Sequence, residues 1–431
     1  MASPTRIAII GAGPAGLTLA RLLNVSGAKV DVTLFELDAS PTARSEQGGT
    51  LDLHADTGLA AIRKCGLWDS FRKYARYQGQ EMILADKNAT ELVHISGKGE
   101  KQGVFDRPEI DRERLKEILL ESVSQESVRW GRKLKEVMDD GTLQFDGRPG
   151  LEGPFDLVVG ADGAWSKVRV KLNKTGPRYS GISGYEMEIP EPKKTCPHVD
   201  SMVGRGAFFG VGDRKFLNAQ RMGNDSLKCR SWYVTPEGEA QETLDRLGKK
   251  ETLDKILGRY QGWTPEITEI LRQGDLDTLR VWPLYELPVG YEWEHQEGFT
   301  LIGDASSLST PFSGEGVNKA MKDSLQLAEM IEKSQDPEND LSLDQAILEY
   351  EKLLFPRSKK VQAETEFNKQ NGFNPGAPTT MLTGLLRVKT ADSPSFFIRM
   401  LGTAPFVFMM FTYLWIRTQI GWAVRRYWRK V

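Results

Sequence analysis

The 431-residue chain is long enough for a large core and more than one domain, and 57 basic against 59 acidic residues leave a formal charge of −2. That balance carries no basic footprint for nucleic acid. Cys65, Cys196 and Cys229 are widely separated and form no CxxC pair, which points to reduced thiols in a cytosolic setting rather than a disulfide framework. The first strand pattern begins almost at the N-terminus and leaves no room for a cleaved signal peptide, so the synthesis side is expected to be cytosolic.

That first pattern is Arg6-Ile-Ala-Ile-Ile-Gly-Ala-Gly-Pro-Ala-Gly16, an apolar strand that runs into Gly11, Gly13 and Gly16, with a helix predicted over Pro14 to Leu23. The three glycines suit a tight turn, close approach of a pyrophosphate and close helix-on-strand packing, while the helix N-terminus stabilises phosphate charge. A second strand, Asp31-Val-Thr-Leu-Phe-Glu36, places a carboxylate 20 residues beyond Gly16, where it can accept hydrogen bonds from an adenosine ribose. Strand, glycine turn, helix and acid together predict a dinucleotide cradle.

A polar segment from Leu37 to Gln47, containing Arg44, leads to Gly48-Gly-Thr-Leu-Asp-Leu-His54, whose paired glycines suit close backbone approach to a ligand. Helices are expected over Asp56 to Cys65 and Trp68 to Tyr77, then short strands at Glu81 to Ala85 and Leu92 to Ile95. Ile110 to Glu121 reads as an amphipathic helix with Leu115, Ile118 and Leu119 on one face. Arg112 stands near its start, where a cation opposes the helix dipole and either a nearby anion or plain solvent accounts for it.

Phe155-Asp-Leu-Val-Val-Gly-Ala-Asp-Gly163 is a buried-strand pattern followed by turn chemistry, and a helix start is expected in Ala164 to Arg169. Short alternating segments from Tyr179 to Thr235 predict an antiparallel, half-buried sheet, followed by helices at Glu239 to Tyr260 and Pro265 to Leu271. Phe299-Thr-Leu-Ile-Gly-Asp-Ala305 returns to a central strand, with Asp304 at its carboxyl end, the ligand side of an α/β sheet. Ser309-Thr-Pro-Phe-Ser-Gly-Glu-Gly316 is a glycine-bearing turn before a helix over Val317 to Glu332, a second backbone cradle in which amides can stabilise negative charge. Leu343 to Asn371 reads as a further helix.

These motifs, Gly11/Gly13/Gly16 with Glu36, Asp156 to Gly163, and Gly303 to Gly316, resemble in order those of the class A flavoprotein aromatic hydroxylases over roughly residues 5 to 370. Gly48 to His54, Pro108 to Arg112, Trp165 to Arg169 and Pro311 to Asn318 are most similar to the tetracycline-inactivating flavin monooxygenases within that family. The resemblance implies an α/β fold: a Rossmann-like FAD-binding domain with an interleaved antiparallel-sheet substrate domain and a C-terminal helical hydrophobic extension. The corresponding division is 1–75, 106–178 and 282–385 for FAD binding, 76–105 and 179–281 for the substrate-facing sheet, and 386–431 for the extension. It also implies noncovalent FAD, NADPH or NADH as transient reductant and O2 as co-substrate, with a flavin C4a-hydroperoxide as oxygen donor.

Carried over residue by residue, the resemblance assigns Gly11, Gly13, Gly16 and Glu36 to the nucleotide, Arg44 to the adenosine side and Arg112 to a flavin contact. Asp162 would serve flavin and nicotinamide, Asp304 the ribitol or pyrophosphate, and Gly314, Gly316 and the backbone after Pro311 the isoalloxazine. Two positions depart from the family pattern: Ser307 stands where histidine is common, and Glu315 where glutamine is common. Serine gives up a titratable imidazole, and Glu315 brings a carboxylate toward the flavin pocket.

No substrate base is identifiable. His54, His94, His198 and His295 stand in no catalytic spacing, and structural or surface roles are expected for them. The sequence has no HExxH, cysteine cluster or GxSxG elbow, so neither a metal site nor a serine hydrolase is expected. Tyr185, Phe208, Phe209 and Trp232 could line a cavity for a polycyclic substrate or could be ordinary core. The expected activity is hydroxylation or epoxidation of a bulky aromatic, polyketide-like or terpenoid small molecule. Alternatives are tetracycline oxidation, Baeyer-Villiger oxidation, an oxidase or dehydrogenase without oxygen insertion, and a nonenzymatic flavin-binding membrane adaptor.

From Met400 to Ile416 the chain has 17 residues without formal charge, and no acid follows Asp392 while six basic residues do. Aromatic residues beside basic groups suit a headgroup interface, so residues 396–431 are expected to contact a cytosolic membrane face as a peripheral or monotopic tail. A buried helical hairpin, in a chain free in the cytoplasm, is the alternative, since Pro405 interrupts the run and its length falls short of a span.

Overall fold

Ile7, Ala8, Ile9 and Ile10 offer no polar face, so strand Thr5–Ile10 needs cover on both sides. It lies in the middle of a five-stranded parallel sheet of order Phe299–Leu301, Leu157–Gly160, Thr5–Ile10, Val30–Phe35, Val128–Arg129. The computed structural model describes residues 3–43, 48–97 and 107–384, and the expected C-terminal extension, 386–431, lies outside them. In register, Ile10 stands beside Gly160 and Gly160 beside Leu301. Three chain segments therefore leave the sheet at one edge.

Helix Pro14–Ser26 starts beside that edge and packs on helix Gly316–Ser334, which in turn packs on helix Leu343–Gly372. Ser324 Oγ donates to the Ala15 carbonyl at 2.8 Å, and the buried Tyr350 hydroxyl donates to the Leu301 carbonyl at 3.0 Å. Helix Leu343–Gly372 begins with a reciprocal capping box between Ser342 and Gln345.

The second sheet has seven strands in the order Asp275–Glu286, Arg178–Ile189, Leu227–Val234, Lys215–Arg221, Ala207–Gly212, Met82–Asp86, Glu91–Ile95. All pairs are antiparallel except Ala207–Gly212 with Met82–Asp86. The early excursion at 82–95 and the later segments thus build one sheet. Strand Asp275–Glu286 escapes a reading by periodicity because it mixes charges and contains Pro283; at the sheet edge, proline removes no needed ladder donor.

Tyr185, Met187, Phe208, Leu217, Cys229 and Tyr233 form a core on one face of this sheet with helices Pro197–Val203, Glu239–Arg259 and Pro265–Arg272. Strand alternation sends Phe209, Phe216 and Trp232 to the other face. Of the four aromatics singled out in the sequence, Tyr185 and Phe208 are therefore core on the helix-covered face, and Trp232 is buried in a second cluster on the other, with Phe209 packed against it. Cys65, Cys196 and Cys229 are all free and buried.

Capping shifts one predicted boundary and strand pairing another. The helix expected from Ala164 begins at Lys167, because Ser166 accepts the Arg169 amide at 2.9 Å and Asp162 the Lys167 amide at 2.7 Å. The helix expected from Ile110 begins at Arg112, because Glu109–Asp111 pairs as a strand with Thr50–Asp52.

Candidate functional site

The first wall of the site is the predicted cradle. Gly11 has φ +109°, and a Cβ there would lie 2.4 Å from the Ala161 carbonyl oxygen, so the turn closes on the neighbouring strand end. A Cβ on Gly16 would fall 2.0 Å from the Gly11 carbonyl oxygen, which is the close helix-on-strand contact. Above Gly13, by contrast, a Cβ would meet nothing within 4 Å. That open space faces the N-terminus of helix Pro14–Ser26, which has no side-chain cap and no acid in its first turn, so its amides are available to an anion. Glu36 is buried and already holds the loop, accepting the Ala12 amide at 2.6 Å and the Asp38 amide at 2.9 Å. Arg44 lies outside the described residues.

The other two strand ends bring Asp162 and Asp304 to the same edge. Asp162 uses Oδ2 for the Lys167 amide, while its buried Oδ1 has no hydrogen-bond partner, and burial pushes its carboxyl above the ordinary range. An orphaned acceptor at the ligand edge suits a donor on a bound group. Asp304 is exposed at the start of the short helix Asp304–Ser307. Beneath both turns Arg169, 1 % exposed, donates to the carbonyls of Ala164 and Ala305 and so ties them together. Burial lowers its affinity for the proton, against the nearby Tyr291, Asp162 and Asp304. Its only sequence signal was a basic residue in the turn-proximal segment Trp165 to Arg169.

The third wall is the turn Pro311–Ser313, then Gly314 at φ +72° and the start of helix Gly316–Ser334. A Cβ on Gly316 would meet nothing within 4 Å, and one on Gly314 only Asp52 Oδ1 at 4.0 Å, so this turn too presents backbone to open space. Asn318 fastens it to the 52–58 segment, accepting the His54 amide at 2.8 Å and the Thr57 hydroxyl at 3.1 Å and donating to the Asp52 carbonyl at 2.8 Å. Periodicity alone marked Asn318 as just another helical residue.

Both departures from the family pattern acquire partners. The Ser307 hydroxyl accepts from Lys319 Nζ at 2.6 Å; this buried lysine also donates to the Gly303 carbonyl at 2.9 Å. Asp323, fully buried, lies 3.8 Å from Lys319, accepts from Arg357 at 2.7 Å and receives the Gly303 amide at 2.9 Å. Glu315 Oε1 lies 3.3 Å from His54 Nδ1, and His54 Nε2 lies 2.9 Å from Asp52 Oδ2. Burial opposes protonation of His54, but its contacts with Asp52 and Glu315 prevail and raise it from 6.5 to about 9. The other histidines stand elsewhere: His94 meets Glu81 at 3.1 Å, His295 meets Glu351 at 2.8 Å and Asp344 at 3.0 Å, and His198 is exposed.

Gly48 and Gly49 admit two arginines: Cβ atoms there would lie 2.7 Å from Arg112 Cδ and 2.8 Å from an Arg230 terminal nitrogen. A cavity of about 840 Å³ opens beside Gly48, Gly49 and Arg112 and reaches Glu186, Lys228 and Arg280. On the same sheet face Arg230 donates to Glu186 at 2.6 Å. Phe312, from the third-wall turn, lies with its ring centroid 6.5 Å from Trp232, 5.8 Å from Phe216 and 5.1 Å from Phe373. The sheet thus meets the glycine turn through an aromatic cluster. No group of ligating side chains suited to a metal occurs among the described residues.

A parallel nucleotide sheet whose glycine, Asp-Gly and Gly-Asp turns meet at one edge, beside a largely antiparallel sheet, defines a flavoprotein class. The chain belongs to the family whose model is described as FAD binding domain, which matches residues 4–340. It is similar to monooxygenase asqM of Emericella nidulans, 35% identical over 381 residues, covering 77% of this chain and 84% of that one. Monooxygenase penA of Penicillium thymicola is 33% identical over 419 residues, covering 85% and 95%. Among solved structures, Klebsiella pneumoniae HpxO complexed with FAD and uric acid shares the fold at TM-score 0.72 and 18% identity, over 95% and 96% of the two chains. Tetracycline destructase Tet(55) aligns at TM-score 0.65 and 19% identity, over 86% and 90% of the two chains, so the tetracycline branch does not stand out from the wider class. The chain is an FAD-dependent monooxygenase that uses NAD(P)H and O2 on a small organic substrate. Among the described residues no helix is long and apolar enough to cross a membrane.

The open space above Gly13 suits a pyrophosphate, so Gly13→Val should lower FAD affinity by at least about tenfold, an amount equal to roughly 1.4 kcal/mol. Titration of apoprotein with FAD, followed by flavin fluorescence, measures this, and unchanged affinity would exclude the cradle. For His54, a raised proton affinity in the folded chain means stability present below pH 6.5 and lost as pH rises through about 9. Urea unfolding across that window should show wild type losing about 1–3 kcal/mol relative to His54→Gln, a range discounted for the partial exposure of Asp52.

Proposed function

We propose that this monooxygenase hydroxylates or epoxidises a flat, bulky aromatic or polyketide-like compound held between the glycine turn 311–316 and the face of the seven-stranded sheet. The observation that carries this reading is the aromatic cluster of Phe312, Trp232, Phe216 and Phe373, which joins the turn to the sheet beside the Arg230–Glu186 pair. The half-buried Phe312, backed by the buried rings of Trp232, Phe216 and Phe373, gives a planar substrate an aromatic face, and a paired arginine and glutamate suit a carbonyl or hydroxyl on its rim. Monooxygenases asqM and penA support oxygen insertion, and the zeaxanthin epoxidases among the more distant relatives favour epoxidation as one outcome.

In this reading the amides at Gly13 and the helix behind it bind the pyrophosphate of FAD. Glu36 holds the adenosine side, Asp304 and Arg112 flank the chain to the ring, and Asp162 offers its free oxygen to a donor. Backbone at Pro311, Gly314 and Gly316 would hold the isoalloxazine, where amides would stabilise developing negative charge. Bound FAD would supply the redox chemistry, hydride acceptance from NAD(P)H and activation of O2, of which one atom enters the substrate and the other leaves as water. Oxidation of a tetracycline-type compound uses the same walls and is the second reading.

Purified protein loaded with FAD and given NADPH, 18O2 and a panel of aromatic, polyketide, tetracycline and terpenoid compounds should yield a product heavier by one labelled oxygen atom. Nicotinamide oxidation that gives only hydrogen peroxide with every compound would favour an oxidase. The composition of residues 396–431 supports a peripheral place on a cytosolic membrane face. Truncation after Asp392 should then move the protein from the membrane pellet to the supernatant with FAD retained, and loss of FAD on truncation would favour a buried tail.

A further inference from the structure

Beside the third wall, His54 lies between two carboxylates that belong to different parts of the chain. Asp52 ends strand Thr50–Asp52, and Glu315 sits between the two glycines that join the turn to helix Gly316–Ser334. A neutral imidazole has one donor and one acceptor nitrogen, whereas ionised carboxylates only accept. With Nε2 hydrogen-bonded to Asp52 at 2.9 Å and Nδ1 at ion-pair distance, 3.3 Å, from Glu315, the imidazolium is the form that meets a carboxylate favourably on both sides. The ring is nearly buried, with 10 % of its side chain exposed, while Asp52 and Glu315 are 35 % and 26 % exposed. Glu109, opposite Asp52 on the paired strand, is a further titratable group at the cluster, and burial pushes its carboxyl up to about 7.

We infer that Asp52, His54 and Glu315 form a latch, one imidazolium between two carboxylates, that joins the two backbone segments of the flavin cradle and sets the electrostatic environment of the reduced ring. This rests on the assignment of FAD to the glycine turns. Asp52 Oδ1 is 4.0 Å from the Cβ position of Gly314, so the latch borders the surface on which the ring would lie. Reduction adds electron density to the ring, and a carboxylate beside it opposes that change. Glu315 alone would do so; His54 neutralises it and also turns it toward the 52–54 segment. His54 and Glu315 are positioning residues, since neither is required to touch a reacting atom. Asn318 fixes the same two segments by neutral hydrogen bonds, so the fold of the turn does not depend on the latch alone.

The latch makes a signed prediction. His54→Gln leaves two uncompensated carboxylates, and Glu315→Gln leaves one imidazolium with one carboxylate. Full-length holoproteins are reduced anaerobically against a reference dye, and the ratio of reduced to oxidised flavin is read from the visible spectrum. His54→Gln should lower that ratio about fivefold and Glu315→Gln raise it about fivefold, the scale of one screened charge near a partly exposed pocket. The double variant should return to within about twofold of wild type, on the same charge-compensation argument. A merely structural role would weaken stability in both single variants without opposite shifts.

Shifts of the same sign, or no shift in either variant, would overturn the latch. If His54→Gln retains no FAD, Glu315→Gln decides alone, and an unchanged or lowered ratio there is equally fatal. Wild-type protein that binds no FAD would remove the cofactor assignment and the latch with it. Wild type that binds FAD with an unmoved ratio across the variants removes the latch alone.

Discussion

Parallel pairing imposes one constraint on which the rest of this protein depends: strands that run the same way release their chains at the same edge. Ile10, Gly160 and Leu301 stand in neighbouring register, so the turns that carry Gly11, Asp162 and Asp304 are brought together although they are far apart in sequence. Backbone conformation then decides what that edge can do. Gly11 folds its turn onto Ala161, the space above Gly13 stays open, and a helix N-terminus points its free amides into it.

Holding three turns at one edge takes buried polar groups, because each turn exposes carbonyls and amides that the sheet no longer satisfies. Arg169 serves the turns after two strands, Asn318 binds the 52–58 segment to the last glycine turn, and Lys319 with Asp323 and Arg357 fills the space under Gly303. Removing one partner from such a network leaves a buried polar group unsatisfied, which ties the geometry of the site to the stability of the fold. The Ser307 departure becomes intelligible in this setting: the hydroxyl accepts a buried ammonium.

The seven-stranded sheet contributes by alternation. One face packs on helices and supplies core, while the other brings Trp232 and Phe216 to Phe312 in the turn above the edge. A register slip of a single residue would exchange these roles, so the pairing of Gly184 with Trp232 and of Phe216 with Trp232 is what brings these rings to Phe312. Two of the aromatics that sequence could only name as candidates, Tyr185 and Phe208, belong to the opposite face for the same reason.

Local pattern was sufficient to put the glycine turn, Glu36 and the Asp-Gly and Gly-Asp turns at strand ends, because each of these is a contiguous string with its own periodicity and turn chemistry, while the cofactor followed from the family that their order resembles. Periodicity was not sufficient for the edge strand Asp275–Glu286, whose mixed charges and proline make sense only beside Arg178–Ile189. Nor could it find Arg169, Asn318 or Lys319, which look like ordinary helical residues until their partners arrive from distant segments. Glu315 illustrates the division most clearly. The sequence by itself determined that a carboxylate stands between the two glycines of the turn; only the tertiary structure decided that His54, 261 residues earlier, meets it. Charge is a property of a residue, but its compensation is a property of packing.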